Sequence, residues 1–499
     1  MNILIVVYII GWIMCLEAVL LLIPLMTAVY YQESVGFIYL GVIVVEALIG
    51  LLIIRKKPKH TTFYAKEGCV AVALSWLVMS VFGAVPFVLT GEIPSPIDAL
   101  FESVSGFTTT GASILTDIEA LSHTSLMWRS LTHWIGGMGM LVFILAVIPL
   151  SGGSGVYLLK AESPGPSVSK LKPKTRTSVV ILYAIYTGLT LMECLLLLCG
   201  NVGGFEAITI SFGTAGTGGF AVLNTSLQSY SLYCRTVVTI FMMLFGVNFN
   251  IYFLIAVGRV RDALRSEELH CYLLIMLISA AFVFFNIVRT YDNVVSALSD
   301  ACFQVASIMT TTGFATADFN EWSMQARLIL VLLMFCGASA GSTGGGLKVS
   351  RLIILIKTIP KEIGYYLHPH SVRKVHFEGK TLDHETVRSV SVYLALFVVV
   401  FTVSLFLLSF DDVDLVSAFT AVAATINNIG PGLEMVGPTC NYAFFSVASK
   451  IVLIFDMLAG RLELIPVLML FTPTVWKSVG HQAARSFTQC KVNQKENEQ

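Results

Sequence analysis

The chain has 499 residues, of which 56% are hydrophobic and 12% are charged, and its mean hydropathy is +0.81. Soluble proteins carry about 25% charged residues, so this composition predicts a membrane protein. The formal net charge is zero, which gives no sign of nucleic-acid binding. The ten cysteines are scattered without a CxxC pair, which is typical of small buried apolar side chains rather than of a metal site or a disulfide framework.

Ten apolar runs are long enough to cross a bilayer, which takes about 20 residues per helix. The first run has no basic segment before it and is longer than the apolar core of a signal peptide, so we predict a retained helix. The eighth and tenth runs are interrupted. The runs are 3–31, 35–54, 68–90, 126–150, 177–200, 234–258, 270–289, 326–358, 387–409 and 445–473.

Basic residues divide the connections between these runs into two alternating classes. One class is rich in Lys and Arg and is therefore predicted to be cytoplasmic, as are both termini. The other class contains no Lys or Arg, and each member is apolar in its first half, which predicts a loop that re-enters the membrane. The basic connections are 55–66, 151–176, 259–265 and 359–386; the others are 91–128, 201–234, 290–326 and 411–449.

Each connection without basic residues contains one copy of a short motif, in which an alanine lies twelve residues before a glycine. The residue before each alanine is acidic or Ser, and Asp and Ser are good helix N-caps. We therefore predict four units of a capped short helix followed by an extended loop, and we expect the four loops to form one cation filter. The alanines are Ala99, Ala207, Ala301 and Ala418, preceded by Asp98, Glu206, Asp300 and Ser417. The predicted filter residues are Thr109, Thr110, Gly111, Thr217, Gly218, Gly219, Thr311, Thr312, Gly313, Asn428, Ile429 and Gly430.

The chemistry of such loops suits a cation. Backbone outside a helix is tolerated within a membrane only where it lines a water cavity or is buried in protein. A short helix that ends inside the membrane turns its partly negative C-terminus toward that cavity. Glycine permits positive φ and has no side chain to fill the axis, so carbonyl oxygens can replace the hydration shell of an ion. The alternative is that these glycines serve helix packing only.

Two further features leave alternatives open. The second loop also contains Thr214-Ala215-Gly216, so Gly216 and Gly218 remain alternatives to Gly219 as its filter glycine.

A basic residue opens the second helix of every unit, and snorkelling at the membrane interface is the favoured interpretation. These residues are Arg129, Arg235, Arg327 and Lys450.

The loop sequences resemble those of the Trk/Ktr/HKT superfamily of potassium transporters, and most closely its TrkH type, over essentially the whole chain. The resemblance implies that Gly111, Gly219, Gly313 and Gly430 are the selectivity glycines. Sodium-preferring relatives have serine at the first of these positions, so glycine here implies potassium. The matching segments are 106–112 (GFTTTGA), 218–220 (GGF), 310–314 (TTTGF) and 427–432 (NNIGPG).

The eighth apolar run is broken by a glycine-rich loop, which we define as residues 337–346. Its five glycines disfavour a helix by about 1 kcal/mol each relative to alanine. We interpret it as a flexible loop that blocks or opens the pore, and the resemblance implies the same gating role; close helix packing is the alternative. The predicted gate residues are Gly337, Ala338, Ser339, Ala340, Gly341, Ser342, Thr343, Gly344, Gly345 and Gly346.

Several ionisable residues lie inside apolar runs. A charge there is costly, so Arg461 is expected to face polar partners or the pore. A structural pair with Glu463, Asp456 or a carboxylate of another helix is the alternative, and the resemblance implies that Arg461 is an electrostatic barrier below the filter. We interpret His133 as a hydrogen-bonded packing residue. Three intramembrane carboxylates are interpreted as packing or lipid-interface residues without an assigned role: Glu17, Glu46 and Glu193.

The sequence therefore predicts an all-α membrane protein with four helix–re-entrant loop–helix units around one pore, preceded by two extra helices. The predicted function is potassium uptake; the alternative is a secondary transporter of another cation or a small solute. No enzyme motif and no organic cofactor is expected. The resemblance implies a homodimer, a cytosolic nucleotide-binding ring of the TrkA type and a bacterial inner membrane. The expected divisions are 1–66, 67–176 (unit 1), 177–266 (unit 2), 267–385 (unit 3), 386–476 (unit 4) and a cytoplasmic tail, 477–499.

Overall fold

A computed structural model describes residues 3–58, 65–139, 175–368, 373–473 and 476. The far end of the predicted run 126–150, most of the connection 151–176 and the tail 477–499 lie outside the described residues. The helices are α1 (Ile3–Leu20), α2 (Leu22–Tyr31), α3 (Gly36–Ile54), α4 (Ala65–Thr90), α5 (Pro96–Phe107), α6 (His123–Met138), α7 (Thr175–Cys199), α8 (Gly204–Gly216), α9 (Leu232–Phe245), α10 (Phe249–Ala256), α11 (Val260–Ala263), α12 (Glu267–Ile287), α13 (Val294–Met309), α14 (Met324–Met334), α15 (Val349–Leu367), α16 (His384–Leu408), α17 (Leu415–Ile426), α18 (Val447–Arg461) and α19 (Ile465–Leu470).

The fold is almost entirely helical, as predicted. In the described part of the chain, strand is limited to a hairpin of β1 (His376–Phe377) and β2 (Lys380–Thr381). Among the described residues, six helical segments are long and apolar enough to cross a membrane, and a seventh is added if the bent pair α9 and α10 is taken as one span. The six are Ile3–Tyr31, Gly36–Ile54, Lys66–Thr90, Val179–Cys199, Glu267–Thr290 and His384–Asp411.

The second helices of units 2, 3 and 4 are broken, and that of unit 1 is described only as far as Met138. Breaks in units 3 and 4 were predicted, whereas the break between α9 and α10 was not. There the two helices bend by 88°. A Cβ atom on Gly246 would lie 2.4 Å from the hydroxyl oxygen of Tyr272, and the side chain of Asn248 starts α10 by accepting a hydrogen bond from the Asn250 N–H. A close approach and a new cap therefore end one helix and begin another.

The short helices that precede the filter loops are α5, α8, α13 and α17, which we call the pore helices. They carry the four motif alanines, whose exposed fractions are only 0–3%. The prediction that the residue before each alanine is the N-cap is wrong. The pore helices begin earlier, so Asp98, Glu206 and Ser417 lie in the first turn and Asp300 lies deeper. The N-caps are Ser95, Gly203, Asn293 and Asp414.

The helices that follow the filter loops are α6, α9, α14 and α18, which we call the inner helices. All four begin at a serine whose Oγ accepts a hydrogen bond from the backbone N–H three residues later. This cap satisfies one of the free N–H groups of the first turn. The four serines are Ser122, Ser231, Ser323 and Ser446.

The leading helices α1–α3 pack on unit 1. At the turn between α2 and α3, the carboxylate of Glu33 accepts hydrogen bonds from the backbone N–H groups of His123 and Thr124 at 2.8 and 3.0 Å. Burial alone would raise the pKa of Glu33, but the bonds from Thr124 and His123 outweigh it and lower the pKa. Glu33 thus anchors the start of α6.

Candidate cation filter and gate

The four predicted filter segments share one backbone pattern. The first residue of each has positive φ, at 56° for Thr109, 53° for Thr217, 61° for Thr311 and 55° for Asn428. The middle residue has negative φ, and the last glycine again has positive φ, between 77° and 94°. This alternation turns successive carbonyl groups to the same side of the chain. In the second segment Gly219 fits the pattern, whereas Gly216 and Gly218 do not have positive φ.

The four segments meet in a closed ring. A Cβ atom placed on the last glycine of any segment would collide with the carbonyl oxygen of the middle residue of the next segment. The fourth segment contacts the first, so the sequence of contacts returns to its start. The distances are 1.9 Å from Gly111 to Gly218 O, 2.1 Å from Gly219 to Thr312 O, 2.1 Å from Gly313 to Ile429 O and 2.7 Å from Gly430 to Thr110 O. No side chain fits between neighbouring segments at these positions.

Hydroxyl and amide side chains form the wall behind this ring. Thr108 and Thr110 join their hydroxyl groups at 2.8 Å, and Thr310 and Thr312 repeat the contact at 2.7 Å. The Asn428 amide donates to the Thr110 hydroxyl at 2.9 Å, which links the fourth segment to the first. These bonds engage the side chains of Thr110, Thr312 and Asn428 with neighbouring side chains.

The basic residue of each inner helix connects its unit to the next one around the ring. In units 2, 3 and 4 the contact is an ion pair with a carboxylate of the following unit. In unit 1, Arg129 pairs with Glu102 of its own pore helix at 2.8 Å, while its guanidinium lies 4.0 Å from the Phe220 ring of unit 2. The other pairs are Arg235–Asp300 at 3.5 Å, Arg327–Glu434 at 3.0 Å and Lys450–Asp98 at 2.6 Å. These contacts, rather than snorkelling, position the four basic side chains.

His133 is a fifth connection behind the ring, and its interpretation as a hydrogen-bonded packing residue is confirmed. Its Nε2 accepts from the Phe220 N–H at 3.2 Å, so Nδ1 carries the proton and donates to the Gly106 carbonyl at 2.7 Å. The neutral ring thus links the end of the first pore helix to the second filter loop.

The glycine-rich loop, residues 337–346, lies directly against one end of the ring. The Gly345 N–H donates to the hydroxyl of the filter residue Thr311 at 2.6 Å. A Cβ atom on Gly345 would lie 2.6 Å from the carbonyl oxygen of Asn427, and one on Gly344 would lie 2.8 Å from that of Thr310. Larger residues would therefore collide with the loops of units 3 and 4.

The other side of the glycine-rich loop is held by unit 2. The break between α9 and α10 frees the carbonyl of Gly246, which accepts from the Ser339 N–H at 3.1 Å. The Gly341 carbonyl in turn accepts from the Phe249 N–H at 3.0 Å. Glu268, at the start of α12, accepts from the Ala340 N–H at 2.7 Å. Sequence reasoning missed these partners because the break is short and Glu268 lies at a helix start, where acidic residues are common.

Arg461 ends α18 beside the same loop. Its guanidinium donates to the Thr343 carbonyl at 2.8 Å and to the Gly137 carbonyl of the first inner helix at 2.8 Å. Of the two carboxylates considered as alternative partners, Glu463 pairs with Arg351 and Asp456 accepts a hydrogen bond from Ser404. Arg461 therefore bridges the loop of unit 3 and the inner helix of unit 1 from its place in unit 4.

Comparison with known proteins gives the family. The family described as TrkH, cation transport protein, matches residues 34–478. The chain belongs to the TrkH family. It is 34% identical to the Trk system potassium uptake protein TrkH of Salmonella typhimurium over 479 residues, covering 94% of this chain and 98% of the relative. It is 30% identical to the Trk system potassium uptake protein TrkG of Escherichia coli, covering 94% and 97%.

A solved member of the TrkH family has the same fold. The crystal structure of the potassium transporter TrkH from Vibrio parahaemolyticus superposes with a TM-score of 0.86 at 30% identity, covering 95% of this chain and all of that one. The resemblance predicted from the loop sequences is thereby confirmed, and the chain is a membrane transport protein rather than an enzyme.

Proposed function

We propose that this protein takes up potassium across the bacterial plasma membrane through a filter formed by residues 109–111, 217–219, 311–313 and 428–430. The closed ring of contacts between these segments is the observation that carries the proposal. A ring of backbone carbonyls can replace the hydration shell of potassium. The relatives TrkH of Salmonella typhimurium and TrkG of Escherichia coli are potassium uptake proteins by name, which supports the choice of ion.

Residues 337–346 act as the gate in this proposal. The loop crosses one end of the ring and is bonded to Thr311 of its own unit and to groups of units 2 and 4, so an ion leaving the filter on that side meets it. The bonds are mostly to backbone groups and can be exchanged for water when the loop moves. Arg461 adds a positive charge at the same place, which opposes a resting cation.

The four units 67–176, 177–266, 267–385 and 386–476 then supply one quarter of the pore each, after the leading helices 1–66. Because one chain completes the ring, a homodimer contains two pores. The basic connections and both termini face the cytoplasm, where a TrkA-type nucleotide-binding ring has access to them. Crosslinking in membranes and labelling of single cysteines from each side test the dimer and the orientation.

The filter is tested by Gly111→Ser in a bacterium deficient in potassium uptake, with potassium and sodium uptake measured in parallel. We expect potassium uptake to fall, because the serine side chain collides with the Gly218 carbonyl, and the ratio of potassium to sodium uptake to fall about tenfold, equivalent to about 1.4 kcal/mol of discrimination. Gly91→Ser is the matched control, because Gly91 has the same φ of 77° as Gly111 but no atom within 4 Å of its Cβ position. An unchanged ratio with normal uptake in Gly111→Ser contradicts the filter assignment.

A further inference from the structure

Two acidic side chains lie inside the leading helices, away from the filter. Glu17 is in the span Ile3–Tyr31 and Glu46 is in the span Gly36–Ile54, close to the middle of each. Both side chains are 0% exposed, so the lipid-interface alternative is wrong for them. An ionised carboxylate at the centre of a membrane helix costs at least about 2.5 kcal/mol, so this pair needs a physical explanation.

The two carboxyl groups lie within hydrogen-bond reach of each other. Among the described residues, none of the four oxygens has a hydrogen-bond donor. Ionised carboxylates only accept hydrogen bonds, so two of them in contact repel each other. A bond between them requires a proton on one of the oxygens.

The helices cross too closely at this point for a bulk-water environment. A Cβ atom on Gly50 would lie 2.6 Å from the Cys15 sulfur and 2.9 Å from the Gly11 carbonyl oxygen. The titratable Cys15 is therefore the nearest additional group on α1, and the Tyr39 hydroxyl on α3 is bonded to Ser125.

The other charged groups on the elements that pack against α1 and α3 are those of α4, the first pore helix and α18. On α4 they are Lys66 and Glu67, in its first turn, and both have interactions of their own. The carboxylates of the first pore helix pair with basic residues, and Arg461, which lies 5.9 Å from the Trp76 ring of α4, bonds to carbonyl groups. The pairs are Glu102–Arg129 and Asp98–Lys450. In the part of the chain that the structure describes, no basic side chain pairs with Glu17 or Glu46.

A second polar atom without a partner points to the same place. A Cβ atom on Gly83 would lie 2.9 Å from the Ser103 hydroxyl oxygen and 3.3 Å from the Glu17 Oε1. Ser103 is 1% exposed, and its hydroxyl has no hydrogen-bond partner among the described residues. It belongs to the first pore helix, so the carboxyl pair lies next to the scaffold of the filter.

We propose that Glu17 and Glu46 form an intramembrane proton-binding site beside Ser103 of the first pore helix. The bound proton is covalently attached to one carboxyl oxygen and donated to an oxygen of the other carboxyl group. Uptake of this proton changes the charge of the pair from −2 to −1, and its release to water restores −2. Ionisation of the pair attracts the unpartnered hydroxyl of Ser103 toward Glu17, and a bond formed between them would couple the proton load of the pair to the pore helix.

The experiment is infrared difference spectroscopy of the full chain in lipid nanodiscs between neutral and alkaline pH. We expect the wild type to lose carbonyl-stretch intensity of protonated carboxylic acids as the pH is raised, and Glu17→Gln/Glu46→Gln to lack the part of that intensity that belongs to the pair. Glu193→Gln is the matched control: Glu193 is also 0% exposed but is a single carboxyl group on α7, so this variant keeps the intensity that belongs to the pair. A double variant whose difference spectrum equals that of the wild type overturns the proposal.

Further variants keep the test decisive if the double variant is poorly inserted. Each single variant, Glu17→Gln or Glu46→Gln, replaces a repelling carboxylate by a neutral amide that can donate, so the remaining carboxyl group should titrate at lower pH. Ser103→Ala removes the hydroxyl that favours the ionised pair and should move the transition to higher pH. An unmoved transition in all three variants contradicts the site. These readouts do not depend on ion uptake, so they stand apart from the filter proposal.

Discussion

The filter ring and the glycine-rich loop are both built from glycine-bearing backbone, but they use it in opposite ways. The ring repeats one set of torsion angles four times, and each copy fits against the next at a distance that excludes a side chain. The loop occurs once, in unit 3, and is held by different atoms in every unit it contacts. Coordination of a spherical ion favours equivalent quarters, whereas a switch needs one element that can move without moving the others.

The largest expected effect comes from breaking one quarter of the ring. In Gly313→Ala the new methyl group would lie 2.1 Å from the Ile429 carbonyl oxygen at a φ of 83°. We expect uptake to fall at least a hundredfold, because the loops must separate and a positive φ costs alanine of order 1–3 kcal/mol. Rubidium uptake in whole cells measures it.

The control for this variant is Gly379→Ala, where φ is 69° and no atom lies within 4 Å of the Cβ position. It should keep normal uptake, because it carries the backbone penalty without the collision. If both variants lose uptake equally, backbone strain alone explains the loss, and the close contact between Gly313 and Ile429 is not what uptake requires.

The glycine-rich loop should respond in the opposite direction. Deletion of Gly344, Gly345 and Gly346 removes the contacts with Thr311 and Asn427, so we expect the rate of uptake per transporter to rise several-fold. The measurement is rubidium flux normalised to the amount of monodisperse protein on size-exclusion chromatography. A well-folded deletion with unchanged flux counts against a gate at this position.

Arg461 tests the same comparison, because it joins the glycine-rich loop, which is the proposed gate, to the inner helix of unit 1. Arg461→Ala removes the donors to Thr343 and Gly137, and we expect a faster rate with little change in thermal stability. Arg461→Lys keeps the charge but cannot bond to separated carbonyls with a planar guanidinium, so an intermediate rate is expected. Reduced expression with a normal rate per molecule would assign Arg461 to folding instead.

The filter residues and the glycine-rich loop could be predicted from local sequence patterns. Contacts between residues far apart in the sequence could not. The spacing of Ala301 and Gly313 is local and repeats, so it could be read directly from the chain. Lys450 was assigned to the membrane interface because its partner Asp98 lies 352 residues away, and a single sequence does not show that contact. The break at Gly246 was missed because one glycine in an apolar run does not indicate a bend of 88°.

The smallest expected effect concerns the ion pairs that join neighbouring units behind the ring. Changing one of these pairs tests protein stability and ion selectivity separately. Lys450 and Asp98 join units 4 and 1 at 2.6 Å, with side-chain exposures of 8% and 26%. The burial of this pair is intermediate. Disrupting an exposed ion pair costs about 1 kcal/mol or less, whereas disrupting a buried one costs about 3 kcal/mol or more. Lys450→Asp or Asp98→Lys should therefore lower the free energy of unfolding by an intermediate amount and reduce the ratio of potassium to sodium uptake.

The reversed double variant Asp98→Lys/Lys450→Asp should recover most of both losses, since it restores opposite charges between the same two helices. The matched control is Arg259 and Asp262, an exposed pair whose side chains are 64% and 46% accessible. Its reversal should change neither quantity, because solvent already screens both charges. Recovery of stability without recovery of the uptake ratio would show that the ion pairs hold the units together but do not determine the geometry of the filter.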